Sequence, residues 1–572
     1  MSMGRVASLV PGLLLLACNS LPPPQTTFGV LGSSTDDAPV MLGDAHASLD
    51  FTRPGEPVGD LVGWNLGRGT AYAPENDPLH PEWRTPHKVA AAQAFAEARP
   101  GHGRAPLMRF SGLQIDGARG EDGYHFYRWV EPGHAPAAGD AMATFEYFAL
   151  MQDADAAPIV TLNFGSGTAA EAAAYVTHLN GTDADDVNVA ARLHWGQDQP
   201  YRQTLFELGS EPYAAWNTGY SADGDYAYAN PEAKHGGDPK WSGKPSASAA
   251  DFAARALEYV AAVKAVEPEA RFWVPLAQAS MDGWGGVEAA VQALAPLFKD
   301  PAVVGAVVHH YLVDDAKALG WTDPNDLFFA LAGAEVFRPG FARARAALDA
   351  VRPGLELVVS EYHVAGTSSR GQFERGREAV VGLGLAGMLL LYAQLGIEAA
   401  CQHTALDYET IDSPDRDPLL EPWYNPFRKG KNETVTPMAS YAATRFVGEH
   451  LLERAAPLEF SKQIDQDMIV GTDKVTVPLV HAAAFVDPAG ETGSLVALHR
   501  DLERSHTFTM DLPPGWTATA ASQWAPPAAE HNTLYFPIAP EPAQYVQEGE
   551  RVQVTLPPHS LVAVRFAAAA AQ

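Results

Sequence analysis

Between residues 58 and 450 the chain repeats one pattern eight times: a short apolar run, then a longer stretch of helical periodicity. The runs are Leu61–Leu66, Pro106–Phe110, Pro158–Phe164, Leu205–Gly209, Phe272–Leu276, Val303–His309, Leu355–Ser360 and Ile397–Gln402. They are dense in Val, Leu, Ile and Phe without strict alternation, as parallel strands covered on both faces require. Thr168-Ala-Ala-Glu171 and Ser248-Ala-Ala-Asp251 carry capping spacings, which predict helices over Ala169–Leu179 and Asp251–Val266. Eight such units predict an α/β fold, a (β/α)8 TIM barrel with long insertions, and leave an open doubly wound sheet as the alternative. No Gly-rich phosphate turn of the GxGxxG or GxxxxGKS type follows any run, which counts against nucleotide-binding versions.

Past residue 455 the texture changes to short β-prone segments separated by Gly, Pro and Asn turns, such as Ala482–Val486, Val552–Leu556 and Leu561–Phe566. That pattern predicts an antiparallel β-sandwich over residues 455–567, behind a barrel over 58–454. The apolar run Ala379–Gly396 is barely long enough to span a bilayer and contains four glycines and a glutamine. A helix buried against a sheet explains it better.

The N-terminus predicts the compartment. Arg5 is followed by an apolar core, Leu9 to Ala17, that is too short to cross a membrane. It ends in Leu15-Leu16-Ala17-Cys18, which resembles a bacterial lipobox, with Cys18 as the residue that receives the lipid; a plain secretory signal with an incidental cysteine is the alternative. Residues 1–18 are thus expected to be a lipoprotein-type signal peptide and residues 19–57 a polar, Pro-rich tether. The protein is expected to be exported, in the bacterial cell envelope or outside it, with membrane attachment only through the lipid. Cys401 is then alone and reads as a small buried hydrophobe.

Net charge narrows the partners. With 39 Lys+Arg against 69 Asp+Glu the chain carries a formal charge of −30. No basic stripe is available for a phosphate backbone, so nucleic acid is disfavoured and a neutral partner such as carbohydrate fits better. Oligomeric state stays open.

In a barrel of this kind chemistry lies where strands end at the C-terminal face. The fourth run ends Phe206-Glu207-Leu208-Gly209-Ser210-Glu211-Pro212, and the seventh ends Val358-Val359-Ser360-Glu361-Tyr362-His363. A charge set directly after an apolar strand is costly unless paired or used. Two carboxylates meeting across one pocket suit glycosidic bond cleavage, one protonated to assist the leaving oxygen and one ionised to attack or stabilise the anomeric carbon. The second run supplies Arg109, able to hold a carboxylate ionised, and the sixth supplies His309 and Tyr311 to orient the pair. Asn65 and Asn163 are candidate hydroxyl binders or caps; His403 and Asp407 are weaker candidates. No metal or organic cofactor is implied, since no ligand cluster stands out.

These stretches resemble the clan A retaining glycoside hydrolases, and within them the family 51 α-L-arabinofuranosidases. Arg109-Phe-Ser-Gly-Leu-Gln114 is similar to their Arg-Tyr-Pro-Gly-Gly-Asn, Leu208-Gly-Ser-Glu-Pro212 to Leu-Gly-Asn-Glu, and His309-His-Tyr311 to His-Xaa-Tyr. Thr161 to Glu171 with His178-Leu-Asn-Gly181 is similar to their third-strand turn and following helix, Ser360-Glu361 to their nucleophile strand, and Leu556-Pro-Pro-His-Ser560 to their last sandwich strand. The resemblance implies Glu211 as acid/base, Glu361 as nucleophile, Arg109 and Tyr311 holding Glu361, and His309 beside the acid/base. Two departures bear on specificity. Ser210 stands where the clan has Asn, whose amide contacts the sugar 2-hydroxyl, and Gln114 replaces an Asn that contacts the same sugar. The implied activity is α-L-arabinofuranosidase-like. The alternatives are another clan A glycosidase (β-xylosidase, glucuronidase or endo-glycanase) and a carbohydrate-binding lipoprotein without catalysis. The aromatic insertion Tyr213–Lys244 is expected to wall a pocket or line a cleft.

Overall fold

The structure, a computed structural model, describes residues 44–66, 86–110, 119–120, 123–124, 144–162, 164, 168–194, 196–213, 248–281, 283–321, 323, 326–365, 378–403, 427–429, 435–531, 533 and 537–569. All eight predicted strands form. They are β1 (Gly63–Leu66), β2 (Leu107–Phe110), β3 (Ala157–Leu162), β4 (Leu205–Leu208), β5 (Arg271–Gln278), β6 (Val303–Tyr311), β7 (Glu356–His363) and β8 (Ala399–Gln402). Each pairs in parallel with its neighbours and β8 pairs with β1, so the sheet closes as a barrel and the open-sheet alternative falls away.

Inside the barrel, side chains two residues apart on a strand form successive layers. A lower apolar layer gathers Leu107, Ile159, Trp273, Val307, Val358 and Cys401. Cys401 is a free, fully buried thiol there, as its surroundings predict. One step of two residues toward the C-terminal face converts Leu107 to Arg109, Ile159 to Thr161, Val307 to His309 and Val358 to Ser360. The sequence therefore lays a polar floor directly on an apolar plug.

The helix Ala169–Asn180 begins where its cap predicts, and the second helix, Ala249–Val266, begins two residues ahead of the expected Asp251, directly after its Ser248 cap; Thr168 and Glu171 form a reciprocal capping box, and the Ser248 hydroxyl accepts from the Asp251 amide. The glycine-rich run is the helix Ala379–Leu395, buried and ended by Gly396 in the left-handed conformation. Its glycines allow close approach: a Cβ at Gly382 would stand 2.4 Å from the Ala439 carbonyl oxygen, and one at Gly384 would stand 2.5 Å from that of Ala330. Among the described residues no helix is long and apolar enough to cross a membrane.

The C-terminal part is a sandwich of two sheets. One holds Arg454–Ala456, Val480–Val486, Thr492–His499, Ser560–Ala568, Trp516–Trp524 and Glu541–Pro542; the other holds Leu458–Lys462, Ala45–Leu49, His506–Asp511, Arg551–Leu556 and Tyr545–Glu548. Ala45–Leu49 corrects the expected extent of the tether. These residues are a strand of the sandwich, antiparallel to Leu458–Lys462 and parallel to His506–Asp511. Ala45, Ala47 and Leu49 alternate into the same core as Phe508, Met510, Val552 and Val554. Residues 1–43, including Cys18, lie outside the described residues.

Candidate functional site

Arg109 is the hub of the polar floor. It rises from β2, is fully buried, and spends its guanidinium on two carboxylates at once. Its Nε and Nη2 donate to the two oxygens of Glu207 at 2.5 and 2.9 Å, and its Nη1 donates to Glu361 Oε1 at 2.6 Å and to Asn65 Oδ1 at 2.8 Å. A bidentate pairing of this kind fixes geometry as well as charge. Asn65, at the end of β1, then passes the constraint on, its Nδ2 donating to the Ser360 carbonyl at 2.7 Å.

Glu361 is held from several sides. The Tyr311 hydroxyl donates to its Oε2 at 2.6 Å, with His309 Nδ1 at 3.4 Å and His403 Nδ1 at 3.8 Å from the same oxygen. Burial acts to raise its carboxyl, but the charges of His309, Arg109 and His403 and the Tyr311 hydrogen bond outweigh it, holding Glu361 well below the usual carboxylate range. Ser360 and Glu361 are adjacent, yet both reach the barrel interior: the Ser360 hydroxyl donates to Glu207 Oε1 at 3.2 Å while Glu361 meets Arg109. A regular strand would send them to opposite faces. The register of β7 slips between Val358 and Glu361 against β6, and this irregularity re-aims the pair.

Glu211 stands beyond β4 with φ at +47°, after Gly209 at +75°. A left-handed conformation costs a non-glycine residue about 1–3 kcal/mol, and such strain collects at functional sites. The turn folds the carboxyl back over the barrel mouth, where His309 Nδ1 donates to its Oε1 at 2.9 Å. His309 therefore lies between the two acids, its Nε2 3.1 Å from the Ser360 hydroxyl. Burial acts to lower the imidazole, and the charge of Glu361 with the bond to Glu211 raises it above its ordinary value. One nitrogen of His309 and one oxygen each of Glu211 and Glu361 lie within 4.8 Å of one another.

Strand alternation sorts the His-His-Tyr run. His309 and Tyr311 face the site, whereas His310 turns outward, bonds the Tyr392 hydroxyl at 2.8 Å and is pushed down to about 3 by burial. Ser210 is buried, its hydroxyl 3.4 Å from Arg109 Nη2. Gln114, Asn163 and Asp407 lie outside the described residues, as does the insertion beyond Tyr213. Tyr213 itself packs edge-on against Trp284, ring centroids 5.9 Å apart. Glu207 is the residue that sequence reasoning missed. Its signal was a glutamate inside an apolar strand, two residues above Leu205, where only a buried partner such as Arg109 permits a carboxylate.

No family model matches the chain. In sequence it is 27% identical over 135 residues to α-L-arabinofuranosidase C of Emericella nidulans, covering 22% of this chain and about a quarter of that protein's length (26%). In structure it is similar over nearly its whole length to a family 51 α-L-arabinofuranosidase from Bifidobacterium longum (TM-score 0.69, 15% identity, 92% of this chain and 100% of the other). It is similarly close to an α-L-arabinofuranosidase from Thermotoga maritima solved with arabinose (TM-score 0.66, 15% identity, 91% and 99%). The barrel-plus-sandwich fold is thus the one these arabinofuranosidases share.

Proposed function

We propose that the chain is a retaining glycoside hydrolase of the α-L-arabinofuranosidase type. The observation that carries this reading is the placing of Glu211 and Glu361, from β4 and β7, within 4.8 Å around His309. Retaining enzymes need carboxyl groups about 5–5.5 Å apart, whereas inverting ones need room for a water, about 6.5–9.5 Å. Glu361, kept ionised by Arg109 and Tyr311, attacks the anomeric carbon as the Glu211 carboxylic acid protonates the departing oxygen. The resulting ester is opened by water, whose proton returns to Glu211 while the Glu361 carboxylate is released. Both groups end as they began, so the chain needs only water as co-reactant.

Incubation with aryl glycosides tests this, with arabinofuranoside and xyloside arms because Ser210 turns toward Arg109 rather than offering an amide to the sugar. The expected result is release of aglycone, with the first-formed sugar keeping its anomeric configuration by proton NMR. Inverted product, or no release from any arm, defeats the proposal. Glu211→Ala is expected to cut turnover of alkyl glycosides by about 10²–10⁴-fold and that of activated aryl glycosides far less, since a good leaving group needs no proton. Equal losses on both would remove Glu211 from the acid role.

We further propose that residues 1–18 direct export and that Cys18 carries a lipid. The support is the apolar core ending in Leu15-Leu16-Ala17-Cys18. Intact-mass measurement of the mature chain is expected to show an N-terminal diacylated cysteine, lost together with membrane sedimentation in Cys18→Ala. A mature chain that starts elsewhere and stays unmodified overturns it.

A further inference from the structure

A second cluster of ligand-type side chains lies far along the chain from the barrel site, where the chain leaves one sheet of the sandwich for the other. His499 ends the strand Thr492–His499, Asp501 opens the turn, and His506 begins the strand His506–Asp511. One nitrogen of each ring and one Asp501 oxygen lie within 4.8 Å of one another. The two rings stand edge to face, centroids 5.0 Å apart.

The outer partners of all three side chains leave one donor atom of each turned to the cluster. His499 Nδ1 lies 2.5 Å from the Pro557 carbonyl. A carbonyl only accepts, so the proton sits on Nδ1 and Nε2 carries a bare lone pair. His499 is fully buried, and Nε2 has no hydrogen-bond partner among the described residues. Asp501 Oδ1 is occupied by the amides of Glu503 and Arg504 at 2.9 and 3.0 Å, while Oδ2 faces His506 Nε2 at 2.8 Å. The far nitrogen of His506, Nδ1, has Asp44 Oδ2 at 3.4 Å. A hydrogen-bonded His506–Asp501 pair would satisfy those two residues but leave the His499 lone pair buried and unused, which is unfavourable for a buried polar atom.

We propose that His499 Nε2, Asp501 Oδ2 and His506 Nε2 bind a zinc ion that staples the two sheets of the sandwich. Nitrogen and carboxylate donors suit zinc, at about 2.0–2.2 Å. Ligands at that range stand roughly 3.3 Å apart around a tetrahedral ion, within reach by small side-chain rotations. The Pro557 carbonyl, the Glu503 and Arg504 amides and Asp44 then form the outer contacts that fix the tautomer and aim of each ligand. The chain segments tied together are the ends of two strands from different sheets, the Pro557 loop and the start of the strand Ala45–Leu49. Sequence reasoning passed over the His499-Arg-Asp501…His506 spacing because it lacks the short repeat of familiar zinc motifs.

The test is metal titration of the full chain after chelator treatment and dialysis, read by calorimetry, elemental analysis and thermal melting. The Glu211–His309–Glu361 group also gathers three ligand-type atoms. The titration is therefore run in parallel on Glu361→Ala, where uptake at the barrel site is weakened and uptake at the sandwich is not. The expected result is one zinc per chain with a Kd below about 1 µM, a melting temperature that rises on saturation, and both effects surviving in Glu361→Ala. His499→Ala and Asp501→Asn are each expected to lose the ion and the thermal shift while retaining aryl glycoside hydrolysis. Asp501→Asn keeps an oxygen for the two backbone amides, so it separates loss of the ligand charge from loss of the turn. No stoichiometric uptake by the parent chain, or uptake unchanged in Asp501→Asn, overturns the proposal.

Discussion

Glu361→Ala is expected to lower turnover by at least about 10⁴-fold, some 5.4 kcal/mol of transition-state stabilisation, with little change in melting temperature. The two halves of this expectation come from one geometry. The nucleophile is lost outright, so no covalent ester forms and only direct attack of water remains. The fold is spared because Arg109 retains its two bonds to Glu207 and its bond to Asn65, so no buried charge is stranded. The space left by the truncated side chain admits a small anion. Azide or formate is therefore expected to restore part of the activity on an activated aryl arabinofuranoside, giving an inverted adduct or product. Rescue with retention, or undiminished hydrolysis, would place the nucleophile elsewhere.

Some of these residues are legible in the amino-acid sequence alone and others are not. The eight apolar runs sufficed for the barrel because parallel strands covered on both faces leave a strong hydrophobic signal. Glu211 and Glu361 were legible because each interrupts that signal at a strand end. Glu207 was not, since its charge is cancelled by Arg109, a residue 98 positions away that only closure of the barrel brings near. The strand Ala45–Leu49 was missed for a related reason. Five residues reading Ala-His-Ala-Ser-Leu have weak β-propensity, and their pairing depends on strands from the opposite end of the chain. The joint inward aim of Ser360 and Glu361 was likewise hidden, because a register slip is a property of two strands and not of one sequence.

Arg109→Met is expected to destabilise the chain by about 3–5 kcal/mol, the largest stability loss any single substitution in the site should produce. Replacing the guanidinium by a thioether of similar length keeps the volume but leaves Glu207 and Glu361 buried side by side without their shared cation. The energy lies in that stranded pair rather than in the lost bonds: a surface Arg–Glu contact is worth about 0–1 kcal/mol, whereas these side chains are almost wholly out of solvent. Urea unfolding followed by tryptophan fluorescence measures the loss as a lower midpoint. The same substitution changes the pH profile in a defined direction. Arg109 helps hold the Glu361 carboxyl down, so removing it raises that pKa. Ionised nucleophile is then lost at a higher pH, and the acid limb of kcat/KM moves toward neutrality relative to the parent chain, whose Glu361 is held below the usual carboxylate range. Arg109→Lys separates the two effects: a point charge preserves most of the acid limb, but it cannot span Glu207 and Glu361 with paired bonds, so stability still falls. If Arg109→Met unfolds during expression, the lysine variant alone carries the comparison. Midpoints equal to the parent in both variants, with an unmoved acid limb, would show that the guanidinium neither neutralises Glu207 nor tunes Glu361.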